Sequence, residues 1–223
     1  MLDKKMLLYK NKGDKMMRFV MGIYLLIGVS LQADLVSDGL VEYKSNNYKE
    51  ATKLWQKACD AGNMDGCYNL AHIYAKGKGV RHDYKKASKL YQSACDAGYT
   101  DACSNLGVIY ENGIGVRKDF YKASRLYAKS CNAGDVNGCY NLGVVYYRGR
   151  GVQKDYRIAR EIYADTCEKG HIGGCYYLAE MYKKGKGAVQ DKSKAKSLYL
   201  KACNMGSGGS CSKYKRLAEE GVK

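Results

Sequence analysis

The feature that most constrains this chain is a pair of cysteines that recurs along it without a slip in register. The pairs are Cys59 and Cys67, Cys95 and Cys103, Cys131 and Cys139, Cys167 and Cys175, and Cys203 and Cys211. Spacings of 8 and 28 residues therefore alternate, giving a period of 36. Other columns keep the same beat: Ala51, Ala87, Ala123, Ala159 and Ala195; Trp55, Tyr91, Tyr127, Tyr163 and Tyr199; Leu70, Leu106, Leu142 and Leu178. A period of this length is the mark of a solenoid, in which each unit buries its apolar stripe only by stacking on its neighbours.

Each unit reads as two helices. In DYKKASKLYQSACDAG, Tyr84, Ala87, Leu90, Tyr91, Ala94 and Cys95 fall at three- and four-residue steps, with Asp83 placed as an N-cap and Gly98 just past the end. DACSNLGVIYENG sets Cys103, Leu106, Gly107 and Tyr110 on one face and closes at Gly113. The connections are a few residues long, so neighbouring helices run antiparallel. The motif Gly77-Lys78-Gly79-Val80 and its copies follow no strand and lack a third glycine, so they read as chain reversals rather than phosphate loops.

NLGVIYENGIGVRKDFYKASRLYAKSCNAG, residues 105–134, and its copies resemble the Sel1-like repeats, relatives of the tetratricopeptide repeat. With a Cys-x7-Cys pair in every copy, the chain is similar to the Helicobacter cysteine-rich protein family over residues 34–223. The resemblance implies an all-α, right-handed α/α solenoid superhelix. It also implies β-lactam binding or hydrolysis, because members of that family are classified as β-lactamases. At the edges, residues 34–46 resemble a first helix without a cysteine. Tyr214 and Lys215 break the pattern where Leu and a small residue are expected, as suits a capping helix over 209–220.

Residues 1–33 are read as a secretory signal peptide. A basic stretch precedes the thirteen-residue apolar run from Phe19 to Leu31, which is short for a membrane span of about twenty residues, and cleavage is placed after Ala33. The alternative is an uncleaved anchor, and Met16 or Met17 is an alternative start. No stable membrane anchor is expected after cleavage, and the expected location is secreted or periplasmic. There the cysteines, set in the last turn of one helix and the first turn of the next, should pair locally as five disulfides. Zinc ligation fits poorly with pairs a whole repeat apart, and no Cys-x-x-Cys redox motif occurs. The net charge of +16 becomes +12 without residues 1–33, and the basic residues that remain are spread over every repeat rather than gathered in blocks. It reads as a solvated basic surface that favours acidic partners, with no nucleic acid expected.

The search for chemistry finds little. Ser-x-x-Lys occurs at Ser193–Lys196, Ser210–Lys213 and Ser212–Lys215, a frequency the abundance of lysine accounts for, and Ser-Asp-Asn and Lys-Thr-Gly are absent. The three histidines, His72, His82 and His171, share no column, so neither metal nor cofactor is expected. The more informative columns lie beside the core stripe of the second helix: Asn69, His72 and Lys76; Asn105, Val108 and Asn112; Asn141, Val144 and Arg148; Tyr177, Glu180 and Lys184. In tetratricopeptide-type superhelices the corresponding helix lines the concave groove. An amide both donates and accepts, which suits pairing with an extended peptide backbone. The competing reading is that these Asn side chains cap or bridge neighbouring helices. The expected function is a scaffold that binds a peptide or protein, preferably acidic, in that groove; β-lactam or cell-wall peptide binding is the alternative.

Overall fold

The computed structural model describes residues 34–222, so the expected signal peptide lies outside the described residues. Among these the chain is entirely helical, with no strand. Helix α1 covers 34–44. The next ten are α2 (Tyr48–Asp60), α3 (Met64–Lys76), α4 (Tyr84–Asp96), α5 (Thr100–Asn112), α6 (Phe120–Asn132), α7 (Val136–Arg148), α8 (Tyr156–Glu168), α9 (Ile172–Lys184), α10 (Lys192–Asn204) and α11 (Gly208–Glu219). The chain divides after His82 into two compact units, the first holding α1 to α3 and the second α4 to α11.

Local signals in the sequence set the helix ends. Asp83, Asp119, Asp155 and Asp191 each accept a backbone N–H from the first turn of the helix they precede. The even-numbered helices end in a Schellman motif: at α4, the Gly98 N–H donates to Cys95 O and the Tyr99 N–H to Ala94 O. Four of the odd-numbered helices stop at left-handed Gly77, Gly113, Gly149 and Gly185. The second glycine of each Gly-x-Gly turn lies against the start of an earlier helix, where no Cβ fits. A Cβ on Gly151 would stand 2.1 Å from the Phe120 carbonyl oxygen, and one on Gly187 would stand 2.3 Å from that of Tyr156. The turn reverses the chain, as its sequence implies, and its second glycine is in addition a packing element.

The repeating columns form the core. Ala87, Ala123, Ala159 and Ala195 are buried, as are Tyr91, Tyr127, Tyr163 and Tyr199. Each large ring needs a small neighbour. A Cβ on Gly107 would stand 2.6 Å from Tyr127 Cε1, and one on Gly143 would stand 2.7 Å from Tyr163 Cε1. Tyr214, the residue out of pattern, packs at the edge of the cluster formed by Ala179, Ala195, Tyr199 and Leu217.

All five cysteine pairs are disulfides with the expected partners, and their Cα atoms lie 4.3 to 4.7 Å apart. Each joins the end of an even-numbered helix to the start of the next odd-numbered one, across the turn closed by the Schellman glycine. No cysteine is free.

Candidate ligand-binding face

The Ser-x-x-Lys matches do not form reactive pairs. Ser210 is fully buried, and its hydroxyl lies 2.8 Å from that of Ser207, which caps α11. The Ser212 hydroxyl donates to Gly208 O of its own helix. Lys196 donates to Val222 O, and Lys213 pairs with Glu180 at 3.3 Å. Ser193 and Lys215 are exposed. The histidines are also scattered. His72 is half-buried, and burial, with the charges of Lys76 and Lys78, lowers its pKa. A ring nitrogen of His82 lies 3.1 Å from Ala75 O, while His171 caps α9 by accepting the Gly174 N–H. Among the described residues no three His, Cys, Asp or Glu side chains converge to hold a metal.

The columns beside the core have a different character. In the first unit, α3 presents Asn69 and His72 half-buried and Lys76 exposed. In the second, α7 packs directly on α5, so their equivalent faces are neighbours. Asn105 and Asn141 are half-buried there, Val144 is half-buried, and Val108, Asn112 and Arg148 are exposed. Among the described residues, the side-chain amides of Asn69, Asn105 and Asn141 make no hydrogen bond, and neither Lys76 nor Arg148 is in an ion pair. The side-chain caps of α3 and α7 belong to Asn63 and Asp135. Asn112 is different: its amide donates to Val108 O in its own helix, at 2.9 Å.

On α9 the row changes. Glu180, expected on the open face, is only 5% exposed and belongs to an internal charge cluster. It accepts from the buried Tyr199 hydroxyl and pairs with Lys184 at 2.5 Å and with Lys213. Burial pushes its pKa up. Hydrogen bonds from Lys184 and Tyr199 and the charges of Lys184 and Lys213 outweigh that, and bring it down to about 2. Its charge is balanced by these neighbours and is not offered to a ligand, and Lys184 is engaged with it.

Tyr177, the last of the row, belongs to an aromatic cluster that the column pattern does not announce. Its ring stacks on buried Tyr163, 5.3 Å between centroids, while Tyr140 lies 6.0 Å from both and stacks on His171 at 4.3 Å. The available signal was a change of type in the amide column, where Asn69, Asn105 and Asn141 are followed by Tyr177. Burial raises the Tyr140 pKa to about 12, helped by Tyr177 and opposed by the nearby charge of Arg148.

Comparison with known proteins agrees with this architecture. The Sel1 repeat matches at residues 34–63, 65–99, 100–135, 136–171 and 173–207. In that phase each repeat starts with an odd-numbered helix, so the disulfides link one repeat to the next, and α11 follows the last match. A Sel1 repeat protein from Oxalobacter formigenes superposes with a TM-score of 0.78 at 26% identity, covering 82% of this chain and 74% of the other. Two Helicobacter pylori proteins, HcpE and HcpC, both carried under provisional β-lactamase names, match shorter segments. HcpE is 49% identical over 41 residues, 18% of this chain and 12% of HcpE. HcpC is 40% identical over 47 residues, 21% of this chain and 16% of HcpC.

Proposed function

We propose that this chain, which belongs to the Sel1 repeat family, is a binding scaffold that holds an extended peptide segment on the open face of α5 and α7. The equivalent face of α3 would serve the same purpose in the first unit. The observation that carries this reading is the row of half-buried Asn amides without a protein partner, beside the unpaired cations Lys76 and Arg148. These amides are not sealed from solvent, so water satisfies them in the free protein and a ligand can take its place. An amide that can donate and accept at once meets both backbone groups of a passing strand. The cations give the face a preference for acidic segments.

Five disulfides suit an oxidising compartment, which supports secretion or a periplasmic location. Among the described residues no helix is long and apolar enough to cross a membrane.

The test uses a peptide selected against the oxidised protein from a random display library. Asn105→Ala and Asn141→Ala should each weaken its binding by about 0.5–1.5 kcal/mol, the net worth of one neutral hydrogen bond. Stability should barely change, since neither amide has a protein partner to lose. If Asn105→Ala instead unfolds the protein while binding by the folded fraction is untouched, the amide row is structural and the reading fails. The β-lactam alternative rests on the names of relatives matched over a small part of their length. With Lys196 and Lys213 engaged elsewhere and Ser210 buried, we expect no nitrocefin turnover; turnover abolished by a serine variant that still folds would reverse that expectation.

A further inference from the structure

Three successive copies of one buried tyrosine differ in whether their hydroxyls find a partner. The Tyr127 hydroxyl donates to Glu111 at 2.9 Å, and Glu111 is paired with Arg150 at 3.4 Å. The Tyr199 hydroxyl donates to Glu180, which is paired with Lys184 and Lys213. Between them, Tyr163 is fully buried, and its hydroxyl has no partner among the described residues. The residues one period on from Glu111 and one period before Glu180 are Tyr147 and Val144, and neither supplies a carboxylate. A cation is nevertheless present. Arg148 carries no ion pair among the described residues and is close enough for its charge to act on both Tyr140 and Tyr163.

In both neighbouring copies, then, a buried phenol, a carboxylate and a cation form one set, whereas at Tyr163 the chain provides only the phenol and the cation. Resting on the scaffold reading above, we propose that Arg148, with the hydroxyls of Tyr163, Tyr140 and Tyr177, binds a carboxylate of the partner, either its free C-terminus or an Asp or Glu side chain. The planar guanidinium matches a carboxylate in a two-pronged pair, and phenols donate to the remaining lone pairs. The half-buried Tyr177 ring lies stacked over Tyr163. Full engagement therefore swings Tyr177 aside, so that binding and the movement of this ring are coupled. Asn141 stands on the same helix as Arg148, so the peptide backbone and its carboxylate are held together.

The experiment titrates the full oxidised protein, its tyrosine rings labelled with carbon-13, with three probes. These are N-acetyl-tetraalanine with a free C-terminus, the same peptide as its C-terminal amide, and an amidated alanine peptide carrying one internal Glu. At least one carboxylate probe should shift the Tyr140, Tyr163 and Tyr177 resonances, and whichever does identifies the source of the carboxylate; the plain amide should not. Tyr163→Phe and Arg148→Gln should each weaken that binding about ten-fold or more, the worth of a hydrogen bond to a charged group. Tyr163→Phe should leave Tm unchanged or raise it, because it removes a buried donor without a partner. Tyr127→Phe or Tyr199→Phe should lower Tm, because a carboxylate loses its donor. Equal binding of the plain amide, no shift from either carboxylate probe, or an affinity insensitive to Tyr163→Phe would each overturn the proposal. Display-selected peptides that still depend on Asn105 and Asn141 would then leave the scaffold reading standing.

Discussion

Two carboxylates at the second unit's helix contacts connect residue chemistry to acid stability. Asp135 caps α7 through the Asn137 and Gly138 N–H groups and accepts from Ser104 of α5 and Ser130 of α6, tying three helices to one side chain. Burial pushes its pKa up, but these four hydrogen bonds outweigh that and hold it below the ordinary value. Glu180, at about 2, is the stronger case. Because both groups titrate lower in the folded state, the unfolded state takes up protons first as pH falls. Their stabilisation is complete above about pH 5, and it is lost as pH falls through the unfolded values near 4 towards the folded ones. Glu180→Gln should cost roughly 2–3 kcal/mol at pH 7, after discounting solvent screening of the partly exposed lysines, and much less at pH 3. Urea unfolding at the two pH values measures this. Equal losses by wild type and variant between pH 7 and pH 3 would show that Glu180 does not carry the acid limb.

At the scale of the element, a turn glycine is held by two different constraints, and a pair of substitutions separates them. Gly134 has φ +92° and nothing within 4 Å of the position a methyl group would take, so Gly134→Ala meets only the left-handed backbone. Gly151 has φ +74° and would also drive a Cβ to 2.1 Å from the Phe120 carbonyl oxygen. We expect Gly134→Ala to cost about 1 kcal/mol and Gly151→Ala at least twice that, read as a difference in Tm or urea midpoint. Comparable losses would mean that the second glycine of the turn is not a packing element. These elements were the most legible part of the sequence, because caps, Schellman glycines and stripe residues are local and repeat on one beat. Pairwise substitutions off that beat were not. Glu180 occupies an open-face column in the sequence, yet Tyr199 and Lys213, one helix and two helices on, draw it inside. The Tyr140–Tyr163–Tyr177 cluster likewise needs a ring from each of three helices, and no single column contains it.

Over the whole molecule, the disulfides decide how the repeats share stability. A solenoid unit contacts only its neighbours, so its stability is close to a sum of local terms and contacts at each junction. Here each junction between successive Sel1 repeats carries a covalent link, and α11 is joined in the same way to the last match. Closing a nine-residue loop contributes about 2.5 kcal/mol in the chain-entropy view, so five loops reach the order of 10 kcal/mol, comparable to the entire stability of an ordinary domain. Complete reduction should therefore lower Tm steeply, as followed by circular dichroism with the thiols alkylated. The position of a lost link should also matter. α11 buries only Ser210 and Leu217 and follows the last matched repeat, so replacing Cys203 and Cys211 with Ser should speed amide exchange mainly in α11. Replacing Cys131 and Cys139 opens a junction with repeats on both sides, where Asp135 and Ser130 still bind α5, α6 and α7 together; exchange there should rise less than in α11. If the fully reduced protein instead melts at the temperature of the oxidised one, packing alone holds the repeats.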